Sequence, residues 1–163
     1  MGDEYFGVEI NRSGKATLYP FTDYFKGFER VQALRELFGA ETASVLKKLR
    51  VEFYSARYGY MGVNDEDGHI LISLHHLQTS DFKVLYLDIV HELFHIKQHM
   101  QGKKLFLDDY EYVDSPIEID AYKFTVKEAR RIGMTTKEII DYLKVEWVDE
   151  KQHKRFIRRL GLG

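Results

Sequence analysis

The pentapeptide His91-Glu92-Leu93-Phe94-His95 sets two histidines four residues apart, with a glutamate beside the first. On an α-helix, residues i and i+4 stand one above the other on a single face. Both imidazoles can then aim a nitrogen at one point about 2.0–2.1 Å away, the length of a zinc–nitrogen bond. Glu92 is rotated about 100° from His91, which takes it off the ligand face and leaves its carboxylate able to reach a water held by the metal. Two ligands and one general base on a rigid turn are the parts of metal-assisted hydrolysis. The competing reading makes His91 and His95 ordinary histidines at the edge of a core. It must explain why they interrupt a run as oily as "LDIVHELFHIKQHM" (87–100), since such side chains are poor core-fillers.

A catalytic zinc takes three protein ligands and keeps one position open. His99 is a poor third ligand, because three histidines spaced four apart would span about 12 Å of helix, too long for one ion. It reads as a surface or supporting residue. Glu118, in "SPIEIDAYKF" (115–124), opens a second predicted helix, and Ala121, Thr125 and Ala129 share its face. Small residues there let two helices approach closely enough for Glu118 to touch a metal held by the other. Ser115-Pro116-Ile117-Glu118 is also a capping-box sequence, with Glu118 at its third helical position. Both readings of Glu118 stand at this level, as do Asp120, Glu111 and Asp114 as weaker ligands.

"HELFH" followed by "EIDA" resembles the gluzincin clan of zinc metallopeptidases, whose third ligand is the glutamate of an ExxA or ExxD motif on a second helix. The size and strand-then-helix order are similar to the compact archaeal minigluzincins. "HELFHIKQH" and "EIDAYKF" also resemble the ImmA/IrrE peptidases, which carry HExxHxxxH followed by ExxAxxF. The matching residues are His91, Glu92, His95, His99, Glu118, Ala121 and Phe124, within a stretch of roughly 50–132. The resemblance implies Zn2+ as cofactor, held by His91, His95 and Glu118, and a peptide or protein as substrate. It implies a zincin-like fold: a small antiparallel or mixed sheet packed on an active-site helix and a glutamate helix, with extra C-terminal helices. The implied activity is peptide-bond hydrolysis by a metal-bound water with Glu92 as general base. The alternatives are a peptidase dedicated to one regulatory protein, in the manner of ImmA/IrrE, and a non-catalytic zinc-bearing module.

The elements that must position these residues can be read from periodicity. "YFGVEINRSGKATLYPF" (5–21) predicts a hairpin around Asn-Arg-Ser-Gly, and apolar spacing predicts a helix over 26–50, broken near Gly39. Strands are expected at 51–55, 58–63 and 69–74, the last two joined by the turn "NDEDG". Ser80 is the expected N-cap of the histidine helix and Gly102 its stop. Ser115-Pro116 opens the next helix and Gly133 closes it, and two further helices follow in 134–163. The layout is α+β. A single domain over 1–163 is expected, with 1–25 an N-terminal hairpin extension and 134–163 a C-terminal helical one.

Several further roles can be assigned from the sequence. The strand at 69–74 is the expected edge on which an extended substrate would pair. Tyr110, Tyr112, Tyr122, His75 and His76 are candidate donors to an oxyanion, and Asp88, one turn before His91, could orient that imidazole. Lys151, Lys154, Arg155, Arg158 and Arg159, with Arg130 and Arg131 nearby, read as a solvated face rather than a nucleic-acid contact. The aromatic N-terminus (Tyr5, Phe6, Tyr19, Phe21, Tyr24, Phe25, Phe28) reads first as core packing and second as a lid over the cleft.

Composition narrows the classes. In 163 residues, 44% are hydrophobic and 31% charged, with a net charge of −2, a balance that fits a globular protein and excludes a strongly basic nucleic-acid binder. There is no cysteine, which removes thiolate zinc sites, thiol nucleophiles and disulfides. No run approaches the roughly 18 apolar residues of a membrane span, and the N-terminus has no signal-like apolar core. A cytoplasmic location is the resulting expectation. No feature addresses oligomeric state.

Overall fold

Two short strands near the N-terminus, β1 (Glu9–Ile10) and β2 (Leu18–Pro20), do not pair with each other as a hairpin. In this computed structural model, which describes residues 7–56 and 61–163, β1 pairs antiparallel with β3 (Phe25–Lys26), and β2 pairs antiparallel with β4 (Arg50–Tyr54). The connector explains the correction. Asn11 accepts the Ser13 amide at 3.0 Å, an Asx turn that redirects the chain without closing it. Gly14 then lies flat on the Phe53 ring, where a Cβ would stand 2.2 Å from Cε2. The loop is used to cross onto β4, so a tight turn is never formed. Tyr5 and Phe6 lie outside the described residues.

The predicted helix over 26–50 is two helices, α2 (Gln32–Phe38) and α3 (Thr42–Lys48), broken at Gly39 (φ 60°). A short helical turn, α1 (Phe21–Tyr24), precedes them. The expected strand at 58–63 is β5 (Met61–Val63), with 58–60 outside the described residues, and the strand at 69–74 is β6 (Ile70–Ser73). The four-stranded sheet runs β2-β4-β6-β5, with β4 and β6 parallel and both flanking pairs antiparallel. It is a small mixed sheet in an α+β chain, as expected.

Two helices follow β6 directly. Ser73 accepts the His76 amide at 3.0 Å, an N-cap that ends the strand and starts α4 (Leu74–Thr79), a helix the period-2 reading of "HILISL" concealed. Ser80 therefore closes α4, and Asp81 is the N-cap residue of α5 (Phe82–Met100). Arg12 donates to the Ser80 carbonyl at 2.6 Å, tying the N-terminal loop to this junction. α5 is buried nearly all round, as a central helix should be.

The chain divides into two compact units at Lys103/Lys104. The first unit has an aromatic core. Phe21 and Phe25 stack at 4.8 Å, and Phe28 meets Tyr86 of α5 at 5.9 Å. Phe21, Phe25 and Phe28 are buried to within 1%, so these three are structural core and form no removable cover. The second unit holds α6 (Pro116–Arg131), α7 (Thr136–Tyr142) and α8 (Glu150–Arg159). Capping boxes formed by Thr135 with Glu138 and Asp149 with Gln152 start α7 and α8, and Tyr122 packs edge-on to Phe156 at 4.9 Å. No helix of the described residues is long and apolar enough to cross a membrane.

Phe28→Ala should cost about 3–5 kcal/mol, the usual range for a buried phenylalanine. Leu18→Ala, on a side chain 39% exposed, should stay within about 0.5 kcal/mol. Urea unfolding measures both.

Candidate metal centre

α5 carries His91 and His95 on one face, one turn apart, both 5% exposed. Their Nε2 atoms are 3.2 Å apart, and the rings are nearly perpendicular with centroids 4.7 Å apart. Two ligands of a tetrahedral ion with bonds of 2.0–2.1 Å stand about 3.3 Å apart, so the spacing matches that of two nitrogens sharing one ion. His95 Nδ1 is 2.6 Å from Gln98 Oε1. That amide oxygen can only accept, so Nδ1 carries the proton and a neutral His95 presents its lone pair at Nε2. Gln98 is 1% exposed and was not anticipated. Its signal was a polar residue three positions after His95 inside a buried run, where a tautomer-fixing partner would stand.

Glu118 lies in the first turn of α6, where the helix's positive end favours a carboxylate. The capping box read from Ser115 is not formed. Ser115 makes no side-chain cap hydrogen bond, and its buried hydroxyl has no partner among the described residues. His91, His95 and Glu118 each offer one ligand atom, and these atoms lie within 4.8 Å of one another. Among the described residues this is the one group of three or more His, Asp or Glu that could hold a metal ion. Two imidazoles and a carboxylate suit a borderline divalent cation of the zinc type. Glu92, beside His91 in sequence, is 6% exposed.

The other candidates are placed elsewhere. Arg155 binds Glu111 at 2.8 Å and Asp114 at 2.9 Å and 3.0 Å, while Asp120 is exposed. Asp88 Oδ2 meets His76 Nε2 at 2.8 Å, and His76 Nδ1 meets the Ser80 hydroxyl at 2.8 Å; Asp88 thus orients His76, a partner the sequence did not suggest. Tyr112 and Tyr122 share a hydroxyl–hydroxyl hydrogen bond of 2.5 Å, and Tyr110 and His75 are exposed. The basic C-terminal helix is partly consumed by ion pairs, with Arg155 and Arg159 both on Asp114.

The expected substrate edge also moves. Among the described residues β6 lies between β4 and β5, so the edge strand on that side of the sheet is β5, which packs against α5. Its polarity follows from register. The Asn64 amide donates to the His69 carbonyl at 2.8 Å, which makes 64 and 69 a hydrogen-bonded pair. Antiparallel pairs alternate. Gly62 opposite Leu71 is therefore bonded, whereas Met61 opposite Ile72 and Val63 opposite Ile70 turn their N–H and C=O groups outward.

Compared with known proteins, the chain matches no family model, no curated protein and no solved structure.

Gln98→Ala should weaken zinc binding roughly 10- to 100-fold, the usual effect of losing a ligand's orienting partner, with little change in helix content; calorimetric titration of zinc into the metal-free protein reads it. A second prediction concerns Asp114. The Arg155 guanidinium hydrogen-bonded to it holds its carboxyl below the ordinary value of 3.8. A carboxyl acidified by folding adds stability above its unfolded pKa and loses that contribution as pH falls through the folded value. Asp114→Asn should therefore destabilise the chain at pH 7, and the difference should vanish in denaturation series taken progressively below pH 3.8.

Proposed function

We propose that this protein is a zinc-dependent metallopeptidase, a small relative in kind of the gluzincins its motifs resemble. The grouping of His91, His95 and Glu118 carries the reading, because a two-imidazole, one-carboxylate set is that of a catalytic rather than a closed structural zinc site. Zinc held there would act as a Lewis acid on a scissile carbonyl and bring water's pKa down to about 7.

The chain's own residues supply the rest. The Glu92 carboxylate takes the proton from the attacking water and returns it to the leaving amine, the general-base and general-acid roles that one carboxylate can play in turn. Its carboxylate is buried with 6% exposure, on the helix that carries both histidines. Gln98 holds His95 in the tautomer that leaves Nε2 to the metal. The outward N–H and C=O groups of Met61 and Val63 on β5 pair with the backbone of an extended peptide, which fixes its direction without demanding a particular side chain.

Glu92→Gln should retain zinc and lower peptide hydrolysis by about 10²- to 10⁴-fold, the usual weight of a general base. Glu118→Ala should weaken zinc binding itself. An anomalous diffraction map at the zinc edge would show a peak bounded by His91, His95 and Glu118. Hydrolysis that survived Glu92→Gln would remove Glu92 from its role. A wild-type protein that binds zinc yet cleaves neither casein nor a peptide library would point to a dedicated protein substrate or to a non-catalytic zinc module.

A further inference from the structure

The turn joining β5 to β6 is built around its own hydrogen bonds and then pressed against one side chain of α5. Asn64 receives the Gly68 amide at 2.8 Å through its carbonyl and the Glu66 amide at 2.8 Å through its side chain. His69 donates its amide to Asp67 Oδ1 at 3.2 Å, and its Nε2 meets Glu52 Oε1 of β4 at 3.0 Å. These bonds shape the turn but do not attach it to α5. Gly68, with φ +75°, faces the His99 ring so closely that a Cβ would stand 2.6 Å from Cδ2 and 2.9 Å from Nε2. His99 Nδ1 is also 3.5 Å from Asp65 Oδ1, at the outer limit of a hydrogen bond.

We propose that His99 is a positioning residue: its ring, seated on Gly68, clamps the β5–β6 turn to α5 and so sets the height of the β5 edge relative to His91 and His95 on the same helix. The value of the clamp for catalysis rests on the metallopeptidase reading; the clamp itself rests only on the contact. A three-residue strand has few bonds of its own to hold it. Met61 and Val63 present their backbone groups outward, so any drift of β5 along α5 carries a bound peptide away from the metal by the same distance. Displacements near 1 Å are enough to cost catalysis heavily. His99 does this from two turns beyond His91, where it is too far to ligate the same ion. The contact is dominated by the flat ring and the missing Cβ, since the Asp65 contact is long.

Amide exchange measured by NMR on the full-length, zinc-loaded chain tests the clamp. His99→Ala should speed exchange of the Asn64 and Gly68 amides by at least about tenfold, the signature of a locally loosened unit, with the Leu93 amide of α5 and the zinc affinity unchanged. Gly68→Ala should do the same, and His99→Phe, which keeps a flat ring, should restore slow exchange. On an extended peptide substrate, His99→Ala should lower kcat about tenfold or more with KM changed far less, the split expected when a bound peptide is misplaced rather than released. Unchanged exchange in both His99→Ala and Gly68→Ala overturns the clamp, as does a His99→Phe variant as loose as His99→Ala. A wild-type protein that cleaves neither casein nor a peptide library would remove the general-peptidase reading while leaving the exchange result to decide the clamp.

Discussion

Two imidazoles, a carboxylate and an amide lie buried within three turns of α5, in a helix otherwise lined by Leu85, Tyr86, Leu87, Ile89, Val90, Leu93 and Ile96. Each buried apolar side chain stabilises the fold by about 1.5–3 kcal/mol, while each polar group without a partner costs about 1–3 kcal/mol. The helix can hold its polar residues in place only because the apolar ones anchor it on every side and because the polar ones have partners. Gln98 for His95 is the partnership seen most directly. This constraint explains why the remainder of the first unit is so aromatic. Phe28 stacks on Tyr86, and Phe53 of β4 meets Phe25, so sheet and N-terminal segment hold α5 in place along its first half.

Much of this was legible in the sequence because it is local. The i, i+4 spacing of His91 and His95 requires only that the segment be helical, and the apolar stripe of α5 ensures that. Gly39, the Asn64–Gly68 turn and the Ser115-Pro116 start are all signals read within five residues, and all fall where expected, as do the two C-terminal helices α7 and α8. The errors came from pairings at longer range. Alternation identified β1 and β2 but could not say that each would pair with a strand further along the chain. The order β2-β4-β6-β5 likewise moves the exposed edge from β6 to β5, because a parallel β4–β6 pairing leaves no local trace.

A subtler failure concerns residues whose types allow two local roles. Ser80 is a good N-cap by type, but α4 ends on it, and its hydroxyl is held by His76 instead. Ser115 and Glu118 have the spacing of a capping box, yet Ser115 leaves the helix N-terminus uncapped. The two cases share a cause. A short polar side chain next to a helix start has several partners within reach, and the choice depends on what else the same turn must satisfy. In the Ser115 case the box is broken on the serine side, which makes no side-chain cap hydrogen bond.

The second unit shows how charge that resembles a binding surface can serve the fold. Its C-terminal helix is dense in Lys and Arg, the pattern that draws attention to nucleic acid. Yet Arg155 spans Glu111 and Asp114, and Arg159 adds a second cation to Asp114. These contacts join α8 to the segment that leads directly into Ser115 and the first turn of α6. The Arg155 pair with Asp114 is a two-point contact, at 2.9 Å and 3.0 Å, and such forks fix orientation as well as distance. The position of Glu118 is thus set from its N-terminal side by an ion-paired connector. On its own helix the face it shares with Ala121, Thr125 and Ala129 is buried at all three small residues. The buried small-residue stripe and the ion-paired connector thus both constrain the first turn of α6, the turn that carries Glu118.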